Sequence, residues 1–229
     1  MATRTQGKRG RVSDPFRFDR AFLVEEEPGS PDLRLAGTDE AGRGCLAGPL
    51  VAAAVVLDYS VVDVTILKGL TDSKLLSVPA REAMYGKILR TAHRVSCIAC
   101  SSQTIDGMGL HKCNLAVLRR SLELLDGDYR VAIVDAFDLK QADLRARPIV
   151  GADYKSAAVA AASVVAKVVR DRLMRSLDLL HPEYGFAEHM GYATGRHREV
   201  LRTFGPCRLH RLSFRGVGDS QLELWKEEE

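Results

Sequence analysis

No apolar run in this chain is long enough to cross a membrane. The longest, Cys45 to Leu57, has 13 residues, contains Pro49, and falls short of the roughly 20 a spanning helix needs. The N-terminus lacks the order of a signal peptide, so a cytoplasmic location with no membrane partner is the expectation. The cysteines, Cys45, Cys97, Cys100, Cys113 and Cys207, are an odd and scattered set, which excludes a disulfide framework. Cys97 and Cys100 have metal-like spacing. In a strand, however, residues three apart point to opposite faces, and no second pair completes a zinc site. Buried thiols are expected there. His189 and His197 are eight apart, which is not a ligand spacing. A strong net charge is also missing: 33 Lys and Arg stand against 30 Asp and Glu, for +3. Total charge therefore does not by itself point to a polyanionic partner. There is no internal repeat and no low-complexity tract.

What is present is a chain of 229 residues, 46% of them hydrophobic, enough for one domain with a real core. Residues 1–20 hold six cations, Arg4, Lys8, Arg9, Arg11, Arg17 and Arg20, against Asp14 and Asp19. They read as part of a flexible basic arm, or as a solvated tail with no role. Strands are expected at Leu33 to Thr38, Pro49 to Leu57, His93 to Ser102, Arg130 to Val134 and Pro148 to Val150. The second is continuous in Val and Ala, as a strand buried on both faces should be. Helices are expected from Pro79 to Arg90, Leu110 to Leu125, Ser156 to Leu180 and Thr194 to Phe204. Early strands lack long helices between them, whereas later strands alternate with helices. The pattern predicts an α/β domain whose sheet mixes antiparallel and parallel pairs.

Three strand ends carry acid: Asp39 with Glu40, Asp135, and Asp153 just past its strand. If the strands are neighbours, four carboxylates meet at one sheet edge. Like charges so close need a counter-cation, and carboxylate-only ligation favours Mg²⁺ or Mn²⁺. Two such ions are the standard device for phosphodiester hydrolysis. A plainer alternative is that Asp135 caps the following turn. Asp39 and Glu40 would face opposite ways in a regular strand, so both reach one site only if the strand ends or twists there. The Gly42-Arg43-Gly44 turn would permit that and would let a nucleic-acid backbone approach. On the long helix, Ser156, Ala160, Ser163, Lys167 and Arg170 are spaced 4, 3, 4 and 3 and share one face. That stripe would meet phosphate, the carboxylates, or solvent. Lys74, in a polar turn, is a further phosphate candidate. Tyr184, Phe186 and Tyr192 sit among glycines, placed either to stack on sugar or base or to pack in a core.

These segments, in this order, resemble ribonuclease HII, the bacterial type 2 ribonuclease H. The blocks are Thr38-Asp39-Glu40-Ala41-Gly42-Arg43-Gly44, Thr71-Asp72-Ser73-Lys74-Leu75, Ile133-Val134-Asp135, and Asp153 to Ser156 with Ala160 to Asp171. They continue with His181 to Phe186, Gly191-Tyr192-Ala193-Thr194 with His197, and Gly205-Pro206-Cys207 with His210 to Phe214. The resemblance spans about residues 34 to 215. It implies a ribonuclease H-like fold, a five-stranded mixed sheet flanked by helices, with a small C-terminal helical region. It implies a catalytic domain over 31–218, an arm at 1–30 and a tail at 219–229. It implies endonucleolytic cleavage of the RNA strand of RNA–DNA hybrids and incision at single ribonucleotides in duplex DNA, leaving 5′-phosphate and 3′-hydroxyl ends. Primer removal and ribonucleotide excision repair would be the setting, with any protein partner left open. Asp39, Glu40, Asp135 and Asp153 would be catalytic and hold two Mn²⁺ or Mg²⁺ ions. Gly42, Arg43 and Gly44 would contact the ribonucleotide, Tyr192 would sense the 2′-hydroxyl, and Lys74 would approach phosphate. Ser163 and Lys167 complete the expected substrate contacts. Two departures stand out: Met190 replaces the usual lysine before Gly-Tyr, and Gly109 to Asn114 replaces a block that usually reads Asn-Ile-x-x-Ala-Thr.

Overall fold

β1 (Arg34–Ala41), β2 (Leu50–Asp58), β3 (Arg94–Cys100), β4 (Val131–Asp135) and β5 (Ala146–Ile149) form one sheet in the order β3-β2-β1-β4-β5. β1 pairs with β2, and β2 with β3, antiparallel; β1 pairs with β4, and β4 with β5, parallel. The mixed sheet is therefore as the order of elements predicts. This computed structural model describes residues 14–140 and 142–218; the rest of the arm and the 219–229 tail lie outside the described residues. The helices are α1 (Pro15–Glu26), α2 (Val78–Thr91), α3 (Ser102–Met108), α4 (Leu110–Glu123), α5 (Ala152–Lys155), α6 (Ala157–Asp178), α7 (Phe186–His189) and α8 (Gly195–Phe204). None of them is long and apolar enough to cross a membrane.

Each sheet face takes one long helix. Leu35, Val55, Leu57 and Ile133 pack under the alanines and valines of α6. Small residues let that helix sit close: a Cβ on Gly37 would lie 2.2 Å from the Val159 backbone nitrogen. Ala36, Ala52, Ala54 and Val134 pack under Val117, Leu118 and Leu122 of α4. β2 is buried on both faces over eight of its nine residues, which explains its unbroken apolar sequence. Beyond the sheet, Tyr184, Phe186 and Met174 join α6 to α7 in a separate small cluster, the start of the C-terminal helical region.

Two expectations need correction. Residues 15–26 are not a flexible arm. The Asp14 carboxylate accepts from the Phe16 N–H, Pro15 opens the first turn, and Phe16, Phe18, Phe22 and Leu23 pack on the core. The charges on the outer face conceal that apolar stripe. Nor is Cys97 a buried thiol. β3 is an edge strand, and Cys97 is exposed with Cys100 half-buried.

Candidate active site

At the carboxyl ends of β1 and β4 lies a cavity of about 310 Å³. Ten of the eleven residues expected to be catalytic or to contact substrate line it: Asp39, Glu40, Gly42, Arg43, Gly44, Lys74, Asp135, Ser163, Lys167 and Tyr192. The eleventh, Asp153, stands outside the lining and connects through Lys74, whose Nζ lies 3.6 Å from its carboxylate. This is the strand-end position where ligands of such sheets bind.

The adjacency of Asp39 and Glu40 is resolved where the sheet runs out. β1 ends one residue past Glu40, at Ala41, still paired with β2. Its other neighbour stops first: the β4 register ends at Val134 opposite Thr38. Beyond that point the β1 edge is uncovered, so side chains from both faces reach the same space. By strand alternation Asp39 lies on the α6 face with Asp135, and Glu40 on the α4 face. Asp135 does cap, though it serves the start of α5 and not the turn that follows it in the chain. One carboxylate oxygen accepts from the Ala152 N–H at 2.8 Å, and the residue also lines the cavity.

The electrostatics are those of acids short of counter-charge. Burial, then Glu40, pushes the Asp39 carboxyl up to about 8; the Ser163 hydroxyl and the Glu40 N–H oppose this, and Asp135 adds to it. Burial raises Glu40 as well, while Arg43 draws it back and Asp135 pushes it further. Asp153 is raised by burial, Asp135 and Asp72, against the pull of Lys74. An all-oxygen, mutually repelling set has the donor chemistry of a hard divalent cation site. Among the described residues, no three His, Cys, Asp or Glu side chains are gathered closely enough to hold an ion. Three of the acids line the cavity with Asp153 behind Lys74, and a bound cation would have to draw them inward.

The polar stripe of α6 divides between partners. Ser156 caps its own helix, and the Ser163 Oγ donates to the Ser73 Oγ at 2.9 Å. Lys167 Nζ lies 2.7 Å from Asp171 and 5.1 Å above the Tyr192 ring. Arg170 is taken up by backbone carbonyls. It is fully buried and donates to the carbonyls of Pro49 (2.9 Å), Met190 (2.8 Å) and Ala47 (3.1 Å). It thus ties the Gly42–Pro49 segment to the turn that carries Tyr192. Gly42 has φ of +90°, and a Cβ there would lie 1.9 Å from Arg170 Nε, so both conformation and space require glycine. Arg211 adds a second tie, donating to the Arg43 carbonyl at 2.9 Å and the Gly48 carbonyl at 3.0 Å.

The histidines form a prop. His189 stacks on His197 at 4.1 Å, and His197 Nε2 lies 3.1 Å from His210 Nε2. Burial holds His197 and His210 down to about 4, in the neutral form. His197 Nδ1 reaches the Tyr192 carbonyl at 2.9 Å, fixing the backbone beneath that ring. Tyr184 and Phe186 stack on each other in the core, so only Tyr192 of the three aromatics faces the cavity. Sequence reasoning passed over Asn114, a fully buried amide close to Glu40. Its signal was a polar residue on the core stripe of α4.

A family model described as Ribonuclease HII matches residues 36–217. The ribonuclease HII of Sinorhizobium fredii is 47% identical over 188 residues, 82% of this chain and 79% of that one. The ribonuclease HII of Mesorhizobium japonicum is 45% identical over 230 residues, covering 96% of each. The crystal structure of the ribonuclease H2 from Pyrococcus horikoshii matches with a TM-score of 0.75 at 26% identity, over 84% of this chain and 99% of that one.

Proposed function

The chain belongs to the ribonuclease HII family, an endonuclease of the ribonuclease H type that acts on RNA–DNA hybrids, and from that premise we propose how its own residues perform the cleavage. The observation that carries the proposal is one cavity holding Asp39, Glu40 and Asp135 together with the Gly42-Arg43-Gly44 turn and Tyr192.

Asp39, Glu40, Asp135 and Asp153 would hold divalent metal, Mn²⁺ or Mg²⁺, in a two-ion arrangement. Bound there, the metal supplies a nucleophilic water and charge stabilisation at the scissile phosphate. The backbone of Gly42 and Gly44 admits the ribose closely, because neither carries a side chain. Arg43 lies at the same rim, its guanidinium 5.0 Å above the Phe137 ring, and suits a phosphate of the cut strand. Lys74 is 72% exposed at its side chain and lies between Asp72 and Asp153, where it can shift from carboxylate to phosphate. Ser163 and Lys167 line the α6 wall. Tyr192, held over Lys167, presents its ring and hydroxyl to the sugar. Discrimination rests on the 2′-hydroxyl, the group that separates RNA from DNA. The same reading extends to single ribonucleotides in duplex DNA and to their excision, with 5′-phosphate and 3′-hydroxyl products.

The test is a DNA duplex with one ribonucleotide, incubated with Mg²⁺ or Mn²⁺. Incision at the ribonucleotide, absent from the all-DNA duplex and lost in Asp39→Asn, is expected. Equal cutting of both duplexes, or an unaffected Asp39→Asn, overturns the reading.

A further inference from the structure

α4 turns two buried polar side chains toward β1. Ser121 Oγ lies 2.8 Å from Thr38 Oγ1, and both groups have further partners: Ser121 donates to the Leu118 carbonyl and Thr38 to the Ala53 carbonyl. Asn114 precedes Ser121 by seven residues, two helical turns, so it lies on the same face. Glu40 follows Thr38 by two residues on the same strand face. As Ser121 opposes Thr38, Asn114 opposes Glu40. The amide lies beside that carboxylate. Yet its Nδ2 and Oδ1 are both buried and make no hydrogen bond of full geometry.

An amide left in that condition is a net cost to the fold. Packing gives no reason for it. The neighbours of Asn114 on the same stripe, Cys113, Val117 and Leu118, belong to an apolar cluster, and an apolar side chain of similar size would suit it. The unmet hydrogen bonds point past the fold to the cavity. We propose that Asn114 is a positioning residue for Glu40: its amide N–H turns onto the Glu40 carboxylate and fixes the oxygen presented to the cavity once substrate and cation are in place. On α4, Asn114 is the buried amide that lies opposite Glu40, placed to hold that carboxylate from behind. This rests on the reading of Glu40 as a ligand in the ribonuclease site.

The experiment compares Asn114→Leu with the wild-type full chain in three measurements. Thermal melting without metal reads stability. Calorimetric titration with Mn²⁺ alone reads the acid cluster. Steady-state incision of the single-ribonucleotide duplex reads kcat and KM. Loss of an outer partner of a ligand is expected to lower kcat about 10- to 100-fold and Mn²⁺ affinity about 10-fold, with KM unchanged. Melting temperature should stay level or rise, because an unpaired buried amide has been removed. Asn114→Ala should show the same kinetic split and covers the case in which leucine is not accommodated. Wild-type kcat and Mn²⁺ affinity, within twofold, in a folded variant would sink the proposal. So would losses that follow a lowered melting temperature, the mark of a merely structural residue. A wild-type chain that fails to incise the duplex would count against the ribonuclease reading instead, separately from this one.

Discussion

Two buried aspartates flank α6, and their surroundings act on them in opposite ways. Asp19, on α1, sits at the N-terminus of α6. It accepts from Tyr59 Oη and from the Ala158 N–H, and its carboxyl rises to about 7. Asp39, on β1, lies beside Ser163 farther along the same helix and rises to about 8. Burial is the first cause in both. Around Asp19 every other influence favours the charged form: Tyr59, Ser156, and the Ala158 and Ala157 N–H groups. Around Asp39 two further acids, Glu40 and Asp135, oppose it. A raised carboxyl alone therefore does not mark a site. One buried acid has been supplied with donors by the fold; the other has been surrounded with like charge. The second condition is what a cation-binding site needs and a structural contact does not.

The sharpest way to break this comparison is to neutralise each acid in turn. Asp39→Asn should lower incision of a ribonucleotide-containing duplex by at least about 100-fold, beyond what an outer-shell partner costs. It should also abolish the rise in melting temperature that Mg²⁺ or Mn²⁺ gives the wild type. Asp19→Asn should leave incision within about twofold and keep the metal-dependent rise. If Asp19→Asn lost as much activity as Asp39→Asn, the distinction between the two surroundings would fail.

Stability against pH separates them next. Asp19 has a folded value of about 7 against an ordinary 3.8, so the folded state keeps the proton longer. Its contribution is fully present below about pH 4 and is lost as pH rises through about 7. The size is on the order of 4 kcal/mol as an upper bound. Denaturant melts from pH 4 to 8 should show the wild type losing stability relative to Asp19→Asn across that window. The Asp39 component, with the same sign and reaching to about pH 8, should remain in Asp19→Asn. A pH-independent difference between wild type and Asp19→Asn would remove the basis for treating Asp19 as a buried, proton-holding contact.

Arg170 extends the contrast to a cation. Its donors all go to carbonyls, so Arg170→Met would leave the Pro49, Met190 and Ala47 carbonyls short of a partner. A loss of roughly 3 kcal/mol is expected. For a chain of this size that is a melting-temperature fall of about 6–12 °C. Incision should fall with it, because the turn and Tyr192 lose their common tie. Unchanged melting would show that this buried charge, unlike Asp19, is not held by the fold.

Much of this was legible in the sequence, and the rest was hidden for identifiable reasons. The β2 apolar run, the α6 small-residue run and the start of α2 at Pro79 read correctly, give or take a residue, because their signals are local. The acids at the ends of β1 and β4 read as a set because strand ends are local too. α1 was missed although Asp14-Pro15 is a capping signal, since six nearby cations masked its phenylalanines. The partner of Arg170 was left open between phosphate, acid and solvent because sequence shows which face a residue shares and not what lies opposite. Its partners are carbonyls 20 to 123 positions away. The way Asp39 and Glu40 share one cavity depends on β4 stopping one residue early, a register that no single segment encodes.

The smallest expected effect contrasts the two glycines around Arg43. At Gly42 a methyl group would collide with Arg170 and force a positive φ on a residue with a side chain. At Gly44 a methyl group would meet nothing within 4 Å, and φ is not positive there. Gly44→Ala should therefore change stability by no more than about 0.5 kcal/mol, the range of an unconstrained surface substitution. Its effect should fall on the approach of the ribose alone: KM for the single-ribonucleotide duplex rises a few-fold while melting temperature holds. Gly42→Ala should lose both. Were Gly44→Ala to melt early with KM unchanged, the open side of the turn would not be the face the substrate meets. A rise in KM at constant stability would mark Gly44 as empty because the nucleic acid, and not the protein, occupies the space beside it.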